Sequence, residues 1–186
     1  MKSVFLFCSL LSLCNVVYAQ QDSSGVYLTL SDFQQQKLAY AINCRTQKHK
    51  IKQTSFSDQK FIKVVHNDSV ITLSKSEVFG YRDCKGLFHR FIDKVNYAIL
   101  NPTEYIILYK HEIRAHKQSE LHYMFSRGLD GHVYKLTKQN LKQAFSDQFE
   151  FQKKIDEVFK NDIELSRYDK ATKTYLINWL YGRVKT

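Results

Sequence analysis

His111 and His122 sit in two segments, "YIILYKHEI" and "LHYMFS", that alternate in the manner of β-strands. Paired antiparallel in one particular register, they place the two imidazoles opposite each other. Directly opposed side chains lie about 5 Å apart at Cβ, close enough to share a metal ion. No third ligand accompanies them, and two histidines on a wet sheet face are the simpler reading, so no cofactor is expected. The adjoining "HEIRAH", residues 111–116, fails as a zincin motif because its second histidine comes one position late. Histidines five residues apart face different sides of a helix.

The chain has four cysteines. Cys8 and Cys14 belong to the first twenty residues, "MKSVFLFCSLLSLCNVVYAQ", which have the form of an export leader. Lys2 provides the positive start, Val4 to Leu13 the apolar stretch, and Val17-Tyr18-Ala19 a small-residue cleavage site. The stretch is shorter than the roughly 20 residues that span a bilayer. Residues 1–19 are therefore read as a signal peptide, leaving no transmembrane segment in the mature chain. Only Cys44 and Cys84 survive cleavage, and an oxidising compartment pairs them. Cys84 lies in "DCKG", where Asp first and Gly fourth suit a type I turn. A nucleophilic cysteine is the rival reading, and nothing nearby supplies its base.

Acid–base chemistry needs titratable groups that converge. Asp83, His89, Asp93, Glu104 and His132 are available, but no spacing ties any two together. The sequence has no G-x-S-x-G elbow, P-loop, G-x-G-x-x-G or C-x-x-C. An enzyme is thus disfavoured.

The elements that would position these residues form two stretches. A strand at Val26 to Thr29 precedes a helical turn, where Thr29 and Asp32 resemble a capping box. Leu38 to Cys44 continues as a strand. Nine further strand segments follow between residues 50 and 136, separated by turns such as "HNDSV" and "NPTE". Short connections imply an antiparallel, meander-like sheet of about seven to nine short strands, because parallel crossovers need a dozen or more residues. After residue 137 the period becomes helical. Thr137, Asp147 and Asn161 are read as caps, the last opening a long helix to about Arg183. Tyr168, Tyr175 and Trp179 share one face of that helix and are expected to pack on the sheet. The expectation is one α+β domain over residues 20–186, β-rich from 25 to 136 and helical from 137 to 186, with two or three helices packed against the sheet.

Composition limits the partners. The 186 residues carry a formal charge of +10, with 12 tyrosines and 13 phenylalanines mixed among lysines. A basic surface favours anionic partners such as phosphate, acidic glycans or membrane surfaces. Export disfavours nucleic acid.

"GVYLTLSDFQQQKLAYAINC", "VFGYRDCKG", "AILNPTEYIILYK" and "YKLTKQNLKQAF" together resemble an uncharacterised family of exported proteins from Bacteroidota bacteria. The resemblance spans most of the mature chain. It implies a periplasmic or secreted location and carries no activity, cofactor or catalytic residue. In that context "DSV", residues 68–70, matches a short O-glycosylation sequon with Ser69 as acceptor.

Three functions compete. The leading one is a non-catalytic exported domain that binds or organises an envelope component, either anionic material or another envelope protein. The second is a hydrolase acting on an envelope polymer. The third is a membrane-surface role for the last helix, where Tyr175, Trp179 and Tyr181 neighbour Lys170, Lys173, Arg183 and Lys185.

Overall fold

A computed structural model describes residues 22–47, 50–53, 60–115 and 118–185. Residues 1–19, read from the sequence as a signal peptide, lie outside them together with Cys8 and Cys14. The chain is α+β: its largest sheet has eight antiparallel strands, and three helices of seven residues or more lie near the C-terminus. Two compact units meet between Leu87 and Phe88.

In the first unit, β1 (Ser23–Tyr27) runs between β2 (Ala39–Asn43) and β6 (Gly80–Arg82), antiparallel to both. The short helix α1 (Leu30–Gln34) begins with the expected reciprocal cap. Thr29 Oγ1 accepts from the Asp32 N–H at 3.0 Å, and Asp32 Oδ2 accepts from the Thr29 N–H at 3.0 Å. Phe33 packs its buried ring edge-on to Tyr27 at 5.1 Å between centroids. Strands β3 (Lys50–Gln53), β4 (Phe61–His66) and β5 (Ser69–Ser74) form a separate three-stranded sheet. Its β4–β5 turn uses left-handed Asn67 and Asp68, at φ 47° and 59°. That geometry suits a two-residue hairpin, because it follows the strand twist.

Cys44 and Cys84 are bonded, with Cα atoms 5.7 Å apart. The "DCKG" turn closes by the Gly86 N–H donating to Asp83 O at 3.0 Å. Asp83 Oδ1 accepts from the N–H groups of Lys85 and Leu87, both at 2.9 Å. Gly86 has φ +78°, a backbone region that glycine enters without steric cost.

In the second unit, β7 (Phe88–Ile92), β8 (Val95–Ile99), β9 (Ile106–Ala115), β10 (Gln118–Arg127) and β11 (Tyr134–Lys135) lie in meander order. Ile106, Leu108 and Phe125 face a core completed by α2 (Lys138–Ala144), α3 (Phe149–Val158) and α4 (Leu176–Lys185). On α3, Phe151 and Ile155 are fully buried, as is Phe159 just beyond its end.

Two expectations for the helical region need correction. Asp147 does not cap α3; Gln148 occupies the cap position without a side-chain hydrogen bond. The Asp147 carboxylate pairs instead with Arg127, 3.0 Å from Nη1, and the charged partner prevails over the cap. The long helix from Asn161 is also not formed. Asn161 does cap, its Oδ1 accepting from the Ile163 and Glu164 N–H groups, but only a 3₁₀ turn (Asp162–Ser166) follows. A small hairpin then pairs β12 (Tyr168–Asp169) with β13 (Thr174–Tyr175). Its connection is built by Asp169, which accepts from the Ala171 N–H at 2.9 Å and the Thr172 hydroxyl at 2.9 Å. Such local side-chain bonds offer the backbone an alternative to helix. Lys173, at φ 55°, completes the reversal.

Candidate functional site

Because the helix restarts at Leu176, its buried face is not the one expected. Ile177, Leu180 and Tyr181 point into the core of the second unit. Tyr168 and Tyr175 belong to the hairpin, their rings 5.2 Å apart. Trp179 points outward and is 37 % exposed. Arg183, one turn on, lays its guanidinium over the indole, 5.0 Å from the ring centroid.

Trp179 and Arg183 line a cleft of about 520 Å³ with Glu104, Tyr105, Thr174 and Asn178. The cleft is shallow and open to solvent. The cleft borders the start of β9, the end of the small hairpin and the exposed side of α4. Side-chain hydrogen bonds hold these pieces together. Asn178 Oδ1 accepts from the Ile106 N–H at 2.9 Å, and its Nδ2 donates to Ile106 O at 2.8 Å. An asparagine on a helix thus serves as the hydrogen-bonding partner of a strand end. Asn101, itself buried, donates to Ile106 O and to Glu104 Oε2, and accepts from the Leu108 N–H. The Thr174 hydroxyl donates to Glu104 Oε1 at 2.9 Å. Each Glu104 oxygen therefore accepts one internal hydrogen bond. A carboxylate has about four lone-pair sites, so acceptor capacity remains.

Tyr105 forms the other aromatic surface. It is 43 % exposed, yet its ring stacks on that of buried Tyr181, 4.9 Å apart and 3° from parallel. Cations surround this pair. Lys185 Nζ stands 5.2 Å from the Tyr105 centroid and 5.8 Å from that of Tyr181, within range of cation–π attraction. Arg127 Nη2 donates to the Tyr105 hydroxyl at 3.3 Å, and the Arg127 guanidinium also lies over the Phe145 ring. The Arg127 hydrogen bond pulls the Tyr105 phenol below its ordinary pKa of 10.0, helped by the positive charges of Arg127 and Lys185. Burial pushes Tyr181 the other way. The site is thus an aromatic surface bordered by Lys185, by Arg127 in its pair with Asp147, and by one internally bonded carboxylate, Glu104.

The acid–base, metal and glycosylation candidates from the sequence are distributed elsewhere, with one exception. His122 and His111 are direct partners in the β9–β10 ladder, the register the metal reading required. His111 Nδ1 is 2.8 Å from Asn96 O, so that nitrogen is the donor. His122 Nε2 lies 2.9 Å from Glu120 Oε1, an ion-pair distance without the alignment of a hydrogen bond. Among the described residues no three His, Cys, Asp or Glu side chains come together as a metal site. Asp83 shapes its turn, and Asp93 has φ 49° in the β7–β8 turn. His89 lies on β7, while His132 packs edge-on to Tyr134 at 4.5 Å. Ser69 is exposed at the start of β5. Of these only Glu104 enters the cleft, whereas Trp179, Tyr181 and Arg183, named for the membrane-surface role, line it as well.

Glu104, Tyr105, Thr174 and Asn178 were not foreseen beside Trp179 and Arg183. The sequence did carry a hint, because Trp179 and Arg183 are four residues apart and hence adjacent on a helix. Comparison of the chain with protein-family models, curated proteins and solved structures found no match.

Proposed function

We propose that this chain is an exported, non-catalytic domain that binds an anionic envelope component through the cleft beside α4. The observation that carries the reading is the outward-facing Trp179, set beside Tyr105 and accompanied by Arg183 and Lys185. A core tryptophan would need no such surroundings. The leader residues support export, and the basic charge of the chain supports an anionic partner.

Hydrolysis fits less well. Two-carboxylate hydrolysis of a glycoside needs a pair of acidic groups flanking the bond. Glu104 is the single carboxylate lining this cleft, and it is already held by Asn101 and Thr174. The membrane-surface reading gains one observation, the exposure of Trp179 near two cations. It loses another, since interfacial helices bury their apolar face in lipid and that of α4 is occupied by the protein core. No helix among the described residues is long and apolar enough to cross a membrane.

The test is affinity capture from solubilised envelope material with the wild-type domain and with Trp179→Ala. Retention of acidic envelope material by the wild type, and its loss in the variant, supports the reading. Equal retention by both removes the cleft from the function.

A further inference from the structure

Resting on the cleft as the binding site, we infer that its ligand is a carboxylate-bearing saccharide, of the uronic acid class. Its pyranose face lies on the Trp179 and Tyr105 surface, and its carboxylate is directed to Lys185 and Arg183.

Four observations converge on this chemistry. Pyranose rings have a flat face of C–H groups and an equatorial rim of hydroxyls. Exposed indole and phenol rings suit the face, because each offers a large, rigid apolar area with a polar edge. Trp179 and Tyr105 are the exposed aromatics of the cleft, and Tyr105 is kept in place by stacking on Tyr181.

The rim needs fixed hydrogen-bonding groups. Glu104 is immobilised by Asn101 and Thr174 but keeps acceptor capacity on both oxygens, so it can receive sugar hydroxyls without reorganising. A simple anion would have no use for a carboxylate at that place. Glu104 would repel inorganic phosphate, whereas a sugar can present hydroxyls to it and its acid group elsewhere.

The acid group has its own counterpart. Lys185 has no carboxylate partner among the described residues and stands over the aromatic pair. Arg183 adds a guanidinium whose planar fork matches a carboxylate. Glu104, the one carboxylate in the lining, is internally bonded, and Lys185 stands over the ring of Tyr105, a lining residue. A ligand with negative charge towards Lys185 and hydroxyls towards Glu104 meets both.

A lipid surface is the rival occupant, and it fits the observations less closely. Insertion calls for several protruding apolar side chains, whereas the apolar residues of α4 other than Trp179 face inward.

Trp179 is the chain's single tryptophan, so the site carries its own reporter. The full mature domain is titrated with trigalacturonate, an alginate-derived trimer and a chondroitin disaccharide. The controls are the methyl ester of trigalacturonate, inorganic phosphate, and vesicles containing an anionic phospholipid. The expected result is a saturable change in tryptophan emission with at least one uronic acid ligand. The ester should bind at least tenfold more weakly, a factor equal to ~1.4 kcal/mol. Lys185→Gln should weaken the acidic ligand several-fold while leaving the ester unchanged.

Equal affinity for acid and ester overturns the carboxylate assignment. Silence towards all three acids overturns the inference, as does a response confined to phosphate. A blue shift with vesicles alone favours the lipid occupant and overturns it too. The broader reading is judged separately. Should Trp179→Ala still abolish envelope capture while no uronic acid binds, the cleft stands and the sugar assignment falls. Should the variant capture as well as wild type, the cleft itself falls.

Discussion

Arg183 and Trp179 are stacked, guanidinium over indole at 5.0 Å, on the outward side of a helix whose inward side carries Ile177, Leu180 and Tyr181. The indole therefore contributes little to the core. Trp179→Ala should cost at most about 1–2 kcal/mol, short of the 3–5 kcal/mol typical of a core aromatic. Phe151→Ala, at a fully buried site against Phe145 and Tyr181, supplies the comparison and should reach that range. Urea unfolding of the two variants separates them. Equal losses would place Trp179 in the core after all.

The Cys44–Cys84 bond joins the end of β2 to the turn after β6, across a separation of 40 residues. In the chain-entropy model a loop of that length stabilises by about 4 kcal/mol. Cys44→Ser with Cys84→Ser should lower the denaturant midpoint accordingly. Thiol titration of the unfolded, unreduced chain from Gln20 to Thr186 should find no free thiol; two free thiols would contradict the bond.

Asn178 is the point at which α4 is tied to β9. Its side chain serves both the N–H and the carbonyl of Ile106, a fully buried residue. Asn178→Leu leaves the Ile106 N–H without its partner, whereas the Ile106 carbonyl keeps the Asn101 amide, and one orphaned buried group costs about 1–3 kcal/mol. The expected outcome is a loss of about 1–3 kcal/mol together with faster amide exchange at Ile106. A variant as stable as wild type would show that solvent substitutes for the amide.

The Arg127–Asp147 pair has a pH signature. The Arg127 hydrogen bond holds Asp147 below its ordinary pKa of 3.8. A carboxylate whose folded value is depressed stabilises the fold fully above its unfolded pKa and loses that contribution as pH falls through the folded one. Wild type should therefore exceed Asp147→Asn in urea midpoint near neutrality. The gap should narrow below pH ~4 and close at still lower pH. The pair is exposed, so the gap itself should be small. A pH-independent gap would show that the ion pair is not its cause.

Much of the local structure was legible before any coordinates. Asn67 with Asp68, and Asp83 with Gly86, specify their turns because the side chains and backbone freedom that close a turn lie within four residues. Thr29, Thr137 and Asn161 cap as expected for the same reason. The opposition of His111 and His122 was one register open to two alternating segments, and the sheet adopts it. The core strand β9 was less transparent: Ile106, Ile107, Leu108 and Tyr109 are all buried, so both faces are covered and the alternation loses its contrast.

What the sequence left open were competitions between a local preference and a distant partner. Asp147 had a helix end to cap and an arginine twenty residues back to pair with, and only the assembled fold brought Arg127 within reach. The stretch from Asn161 to Arg183 has helical spacing, but Asp169 and Thr172 close a turn within it, and Tyr168 and Tyr175 meet across the resulting hairpin. That interruption reset the phase of the last helix, exchanging Trp179 for Tyr181 on the buried face. Glu104 and Tyr105 lie some seventy residues from Thr174 and Asn178. Local chemistry along the chain determined the strands, the turns, most caps and the paired cysteines. The phase of α4, and with it the exposed indole and the cleft, was decided by which side chains the tertiary structure brought together, because hydrogen bonds and ion pairs between remote residues have no period in the sequence.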